Sequence, residues 1–272
     1  FAAVGVFIMM NIPRIPIWKI RKYTTGYAAF TLVLLVLVLI IGTAKHGQKN
    51  WIEFGSLMRI QPSEFAKLAV VLFTADQLER KSHLLSNRSH LMRPAGAYCL
   101  AVLGLVMLED DIGTAMVMAP IVLAAFYLIG APIKIFYSAF AIGVLAITAL
   151  TIAAPYRMAR FTSWFNPEAD PQGTGFQLIH GQQALGSGGI FGSGPGGSHE
   201  KWGTLPEAHT DFIFAVAGEE MGIFGTFTIL LLFFLIAIIG LKIARQSDDL
   251  YIKIASFGIV TWLIVQMLVN IG

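Results

Sequence analysis

The chain has 272 residues and is strongly apolar, with 56% hydrophobic and 13% charged side chains and a mean hydropathy of +0.71. A soluble domain carries roughly a quarter charged residues, so the surplus apolar side chains indicate a lipid bilayer as their surroundings. The net charge of +3 is too small to favour nucleic acid as a partner, and the single cysteine, Cys99, excludes a disulfide framework.

Eight apolar stretches are candidates for membrane-spanning helices, because a span needs about 20 largely apolar residues and its backbone cannot hydrogen-bond to lipid. In chain order they are a partial stretch before Asn11, then 24–44, about 62–78, 94–108, 112–133, 135–154, 221–241 and 254–272. They predict an all-α polytopic membrane protein, with residues 1–272 forming a single integral membrane domain. Both ends of the chain fall inside apolar stretches, so we expect it to be a fragment of a longer protein.

The distribution of lysine and arginine predicts the orientation of these spans. With eight spans, alternate loops hold twelve basic residues on one side and seven on the other. Cytoplasmic loops carry the excess of basic residues, so the loops with Arg14, Arg21, Lys22, Arg80 and Lys242 are predicted to be cytoplasmic.

Residues 155–210 form one large loop on the predicted outer face, rich in Gly, Pro, Gln and His. A segment of this length without regular structure is usually functional or disordered. Five large aromatic side chains argue against disorder, and we expect them to pack the loop over the outer ends of the helices: Trp164, Phe165, Phe176, Phe191 and Trp202.

Asp211 lies where this loop returns to the bilayer, directly before an apolar stretch. One interpretation is a helix N-cap, since Thr210 and Asp211 both suit that position. That role does not explain why Glu207, His209 and Asp211 lie so close together. An ionisable residue at the membrane boundary is a functional candidate, and a carboxylate near a low-dielectric surface suits a general base.

Two further groups of charged residues are candidates for binding or structural roles. Glu64 and Lys67, in "QPSEFAK", are three residues apart on one helix face, which predicts an ion pair between them. The pair either only lets both charges enter the edge of the membrane or also shapes a cavity. The turn "EDDIGT" places Glu109, Asp110 and Asp111 together. Such a turn is either a solvated acidic turn or a site for a divalent cation, because hard cations prefer oxygen ligands.

Three sequence motifs resemble the SEDS family of FtsW, RodA and SpoVE, and the likeness extends over nearly the whole chain. They are "NWIEFGSLMRIQPSEFAK", "EDDIGTAMV" and the long stretch from "FNPEADPQGTGFQLIHGQQ" to "KWGTLPEAHTDFIFAVAGEEMG", whose wording is nearer to the FtsW branch. Two positions depart from the usual family pattern. Asn50 precedes Trp51 where the family usually has Arg, and Asp110 precedes Asp111 where it usually has Pro.

The resemblance implies a ten-helix bundle from which this chain would lack the first and last helices. It also implies a peptidoglycan glycosyltransferase that polymerises lipid II outside the bacterial cytoplasmic membrane, at the division septum, with a class B penicillin-binding protein and other divisome proteins as partners. Asp211 matches the aspartate regarded as catalytic in the family. The other residues expected to contact substrate are Trp51, Glu64, Lys67, Asp111, Arg160, Lys201 and His209.

The leaving lipid pyrophosphate needs positive charge, which Lys67, Arg157, Arg160 and Lys201 or a magnesium or manganese ion could supply. Two other functions stay open at this point. The chain could transport lipid II across the membrane, with Glu64 and Lys67 on the pathway, or it could act as a scaffold that binds the transpeptidase.

Overall fold

The computed structural model describes residues 2–45, 48–54, 58–82, 88–153, 155–202, 205–206 and 208–271. Within these residues the chain is largely helical. Its helices are α1 (Ala2–Asn11), α2 (Ile17–Ile41), α3 (Pro62–Arg80), α4 (Arg88–Leu108), α5 (Ile112–Leu128), α6 (Ile133–Ala153), α7 (Pro155–Phe165), α8 (Phe176–Ser187), α9 (Ile213–Gln246) and α10 (Leu250–Ile271).

Each of the eight predicted spans corresponds to a helix, namely α1 to α6, α9 and α10. Four of them, α2, α6, α9 and α10, are long and apolar enough to cross a membrane by length and composition, and α4 and α5 contain shorter apolar stretches. The bounds differ from the predicted ones mainly where polar residues continue a helix. α2 begins at Ile17 and α9 at Ile213, because the charged residues just before the predicted spans, such as Lys22 in α2 and Glu220 in α9, still belong to the helices.

A small antiparallel sheet was not predicted. It has the order β1-β2-β3, formed by Thr43–Lys45, Gln48–Phe54 and Met58–Ile60. Ile52 lies opposite Ile60, and Glu53 pairs with Arg59 across the strands at 3.0 Å. Strands of three to seven residues carry too little alternation to stand out beside the long apolar helices.

The chain divides into two compact units. Unit 1 comprises residues 1–131 and 240–262, and unit 2 comprises residues 132–239 and 263–272. In unit 1, α3 packs against α2, α4 and α5. Its buried small and branched side chains, such as Ala66, Val70 and Ala75, allow this central position.

Unit 2 contains the whole of residues 155–210, which follow α6. The segment predicted as one ordered outer loop forms α7, a 3-10 turn at Pro167–Ala169 and α8, followed by a glycine-rich stretch at residues 188–197. The expectation that its aromatic side chains pack it down is wrong for Trp164, Phe165 and Trp202, which are exposed. The Phe191 ring is also largely exposed, but its centre lies 5.7 Å from that of the Phe224 ring in α9. The contacts described below, which are mostly polar, hold the segment instead.

Candidate active site

Asp211 lines a cavity of about 450 Å³ in unit 2. The cavity is bounded by the end of α7, by α8, by the residues that lead into α9 and by the end of α10. Its polar lining residues are Ser163, Thr174, Gln177, Gln182, Asp211 and Asn270, and its apolar walls include Leu178, Leu185, Phe212 and Phe214. The volume lies in the range of roughly 300–1,000 Å³ that is typical of small-molecule sites.

Local packing explains why Asp211 faces this cavity. Leu205, Ala208 and Val216 are buried together, and Phe212 packs against them. The neighbouring Asp211 is exposed, two residues before α9 begins. At Gly181 of α8, a Cβ would come within 2.9 Å of the Phe212 ring. The absence of that atom lets α8 approach Phe212 closely and brings the wall of the cavity next to Asp211.

The start of α9 contains a break at Gly222, where φ is 63° and ψ is −161°. The glycine-rich stretch lies against this break and takes over backbone hydrogen bonds. Ser193 donates its N–H to the Glu219 carbonyl at 2.9 Å, and Ile223 donates to the Gly189 carbonyl at 3.0 Å. The broken turn therefore ties α9 to the chain that precedes Asp211.

Glu219 is the main anchor of this arrangement. Its side chain is buried, and its carboxylate accepts hydrogen bonds from Ser198 Oγ at 2.6 Å and from the His199 N–H at 2.8 Å. This role of Glu219 was not predicted from the sequence. A signal was present, because an acid inside an otherwise apolar membrane helix is seldom without a specific partner.

Lys201 and His209 lie in the same unit as Asp211 but are not among the cavity-lining residues in the described part of the chain. The ammonium of Lys201 forms a close ion pair with Glu220. His209 is exposed in the turn before Asp211. Arg160 lies in α7, but its side chain is outside the described part of the structure, as is Glu207.

In unit 1, Asp111 is the centre of a second polar cluster. Its carboxylate caps α5 by accepting the Thr114 N–H at 3.0 Å and also accepts from Thr114 Oγ1 at 2.9 Å. Asn50 Nδ2 and Gln61 Nε2 donate to the same carboxylate at 3.0 and 2.9 Å. Asp111 thus joins β2, the start of α3 and the start of α5. Trp51 follows Asn50 in β2 and is half-buried.

Both departures from the family pattern lie at this cluster. Asn50, where Arg is usual, is a direct partner of Asp111. Asp110, where Pro is usual, has a φ of 61° and is the one described residue other than glycine with a positive φ. Proline holds φ near −65° and could not adopt this turn, whereas aspartate tolerates the left-handed region.

Glu109 is the most unusual residue of this turn. Its side chain is 0% exposed, and neither carboxylate oxygen has a hydrogen-bond partner among the described residues. Burial, with a smaller contribution from the nearby Asp111 charge, raises the pKa of Glu109 to about 8. The carboxyl group is therefore largely protonated at neutral pH.

Glu64 and Lys67 form the predicted ion pair, with 2.8 Å between Lys67 Nζ and Glu64 Oε1. The two partners differ in burial, since the side chain of Lys67 is 2% exposed and that of Glu64 is 49% exposed. The Lys67 ammonium also lies 5.2 Å from the centre of the Trp262 ring. A cation over an aromatic face is stabilised electrostatically, which helps to explain how the lysine is accommodated.

The expected divalent cation has no ready site in the described part of the chain. No group of three or more His, Cys, Asp or Glu side chains is placed there to hold a metal. The Asp111 carboxylate accepts hydrogen bonds from four donors, which leaves it poorly suited as a metal ligand. The requirement for magnesium or manganese stays a prediction.

Comparison with known proteins decides the family. The family of cell cycle proteins that comprises FtsW, RodA and SpoVE matches residues 1–272. The chain belongs to the FtsW/RodA/SpoVE family. The predicted resemblance is therefore confirmed, and with it the all-α fold of a multi-pass membrane protein.

Individual members of the FtsW/RodA/SpoVE family are moderately similar to the chain. It is 38% identical to stage V sporulation protein E of Bacillus subtilis (strain 168) over 274 residues, which cover 100% of the chain and 75% of that protein. It is 36% identical to the probable peptidoglycan glycosyltransferase FtsW of Escherichia coli O157:H7 over 263 residues, covering 95% of the chain and 63% of that protein.

A solved structure resembles the chain over its full length. It is the structure of a peptidoglycan synthase complex that coordinates polymerization and crosslinking. One of its chains aligns with a TM-score of 0.79 at 26% identity, covering 100% of this chain and 76% of that one. The chain thus spans roughly two thirds to three quarters of the family members described here.

Proposed function

We propose that this chain is a peptidoglycan glycosyltransferase that polymerises lipid II into glycan strands at the outer face of the cytoplasmic membrane. The observation that carries the proposal is the exposed carboxylate of Asp211 on a cavity with polar and apolar walls, directly before a membrane-spanning helix. The name of the E. coli relative, a probable peptidoglycan glycosyltransferase, supports the same activity.

In the proposed reaction, Asp211 acts as the general base. A sugar hydroxyl of one lipid-linked disaccharide attacks the anomeric carbon of another glycan. The oxygen–carbon bond forms, the bond from that carbon to the lipid pyrophosphate breaks, and the hydroxyl proton passes to Asp211. A positioned base of this kind contributes roughly 10²- to 10⁴-fold to the rate.

The lining of the cavity suits a sugar joined to a lipid. The amides of Gln177, Gln182 and Asn270 can donate and accept hydrogen bonds to hydroxyl groups. Phe212 and Phe214 provide apolar surface beside them. Asp211 lies at the membrane boundary because a lipid-tethered substrate is confined to that boundary.

The same proposal includes a class B penicillin-binding protein as partner, other divisome proteins and a location at the division septum. A related structure of a peptidoglycan synthase complex that polymerises and cross-links supports the transpeptidase partner. The motif wording nearer to the FtsW branch favours the septum.

Polymerisation of labelled lipid II by the full-length protein, purified with its class B penicillin-binding protein, tests the proposal. We expect Asp211→Asn to fold and to bind its partner like the parent while losing at least 100-fold in strand synthesis, because asparagine keeps the shape but cannot take up the proton. Asp248→Asn is the matched control, since Asp248 is also exposed but does not line the cavity, and it should keep full activity.

Other outcomes would select another function. Near-normal strand synthesis by Asp211→Asn would remove Asp211 from the mechanism, and an N-cap role predicts this result because asparagine caps as well as aspartate. Lipid II transfer across vesicles by a protein that makes no strands would favour transport. Restoration of cell growth by Asp211→Asn would favour a scaffold.

A further inference from the structure

A second cavity lies in unit 1, where α2 begins, α3 ends and α10 begins. Its volume is about 460 Å³, and its lining includes Trp18, Arg21, Lys22, Arg80 and Asp249. Three cationic side chains therefore face one carboxylate. The volume is sufficient for a small polar ligand, and this cavity is separate in its residues from the one that Asp211 lines.

The acidic residues near this cavity are already engaged by the protein. Asp76 is buried and accepts a hydrogen bond from Arg80 Nε at 2.8 Å. Glu79 forms a close ion pair with Arg21. Asp249 caps α10 by accepting the Tyr251 N–H at 2.8 Å. These contacts engage all three carboxylates within the protein, and their charges balance those of Arg21, Lys22 and Arg80. An anion would therefore be held by donors that these carboxylates do not occupy.

Two of the cations have donors to spare. Lys22 is exposed and has no carboxylate partner among the described residues, and its ammonium lies 5.9 Å from the centre of the Tyr23 ring. Among the described residues, Arg80 contacts a carboxylate only through Nε, which donates to Asp76, and its side chain is 55% exposed. The terminal N–H groups of Arg80 and the ammonium of Lys22 can therefore donate to phosphate oxygens, the acceptors that Arg and Lys bind best.

The apolar surroundings indicate a ligand with hydrocarbon chains. The exposed Ile17 and Trp18 line the cavity, and α2 continues from them as an apolar span. Tryptophan is enriched at the height of lipid headgroups. Basic pockets between membrane helices on the cytoplasmic side bind anionic lipid headgroups, and the positive-inside rule predicts that side for this end of the helices.

We propose that this cavity binds the phosphate headgroup of an anionic phospholipid such as phosphatidylglycerol. Lys22 and Arg80 donate to the phosphate, Arg21 contributes charge from the wall, and the acyl chains lie along Ile17 and Trp18 into the bilayer. A lipid in this place would link the starts of α2 and α10 with the end of α3.

Native mass spectrometry of the full-length protein in detergent tests the site. The protein is titrated with phosphatidylglycerol and, separately, with phosphatidylcholine of the same acyl chains. Each Lys or Arg near an anionic lipid surface is worth about a fivefold change in binding. We expect Lys22→Gln to weaken phosphatidylglycerol retention about fivefold, and Lys22→Gln with Arg80→Gln about 25-fold, with phosphatidylcholine unaffected.

The matched control is Lys242→Gln, because Lys242 is exposed and predicted to lie on the same side but does not line the cavity. An equal loss in Lys242→Gln would overturn the proposal in favour of a general positive field. Equal retention of both lipids, or unchanged retention in Lys22→Gln, would also overturn it. Full competition by soluble glycerol 3-phosphate would make the ligand a free phosphate rather than a lipid.

Lys22→Gln alone leaves the Arg80–Asp76 pair intact, so misfolding does not obscure the result.

Discussion

Glu109→Gln should make the protein more stable at alkaline pH and leave its stability at acidic pH nearly unchanged. Glu109 is 0% exposed, its carboxylate oxygens have no hydrogen-bond partner among the described residues, and its pKa is raised to about 8. In the unfolded chain the same group titrates with its ordinary pKa near 4.5. The folded state therefore binds one more proton than the unfolded state between these two values.

The sign and the size of the effect follow from proton linkage. A group whose folded pKa is raised contributes most to stability below its unfolded pKa, and this contribution falls as the pH rises towards the folded pKa. One pKa unit corresponds to about 1.4 kcal/mol, so the free energy of unfolding should fall by up to about 4 kcal/mol between pH 4.5 and 8. For a chain of this size, each kcal/mol changes the melting temperature by roughly 2–4 °C.

Thermal unfolding of the detergent-purified protein at pH 5 and pH 8 measures the effect. We expect the melting temperature of the parent to fall by about 10 °C over this interval because of Glu109, and the Glu109→Gln variant to lack that part of the fall. Glu168→Gln, a change at an exposed glutamate, should follow the parent. If Glu109→Gln and the parent lost stability in parallel, the proposed protonation of Glu109 would be refuted.

Three other substitutions test the remaining contacts. Gly222→Ala should destabilise the protein by about 1–3 kcal/mol in thermal unfolding. A positive φ is required at this position, and a Cβ would lie 2.5 Å from the Ile190 carbonyl oxygen. The control Gly143→Ala should not destabilise the protein, because a Cβ at that position would meet open space. Glu219→Gln should lower the free energy of unfolding by about 1.5–3 kcal/mol and should also lower strand synthesis, because it weakens the hydrogen bonds that hold the glycine-rich stretch. Normal stability and activity of this variant would contradict the anchoring role of Glu219. Glu64→Gln should lower the melting temperature more than joint replacement of Glu64 and Lys67 by apolar residues of like volume, since the single change removes a carboxylate 2.8 Å from a buried ammonium.

Several features of the protein were predictable from the sequence because they depend on composition and local order. The apolar stretches predicted the helices, since a backbone in lipid must satisfy its hydrogen bonds within each segment. The i, i+3 spacing of Glu64 and Lys67 predicted their contact, because residues three apart are neighbours on a helix. The motifs around Asp211 predicted the family, which the comparison confirmed.

The hydrogen-bond partners of the buried polar side chains were decided only by the tertiary structure, because these partners are distant in the sequence. Nothing local to Asp111 indicates that its partners are Asn50 and Gln61, about 50 to 60 residues earlier. Nothing local to Glu219, which lies just before the break in α9, indicates that Ser198 and His199 donate to it. Hydrophobic periodicity records which face of an element is buried and not which element covers it. The pairing of polar groups across elements, and with it the shape of both cavities, is set when the chain must satisfy every buried donor and acceptor at once.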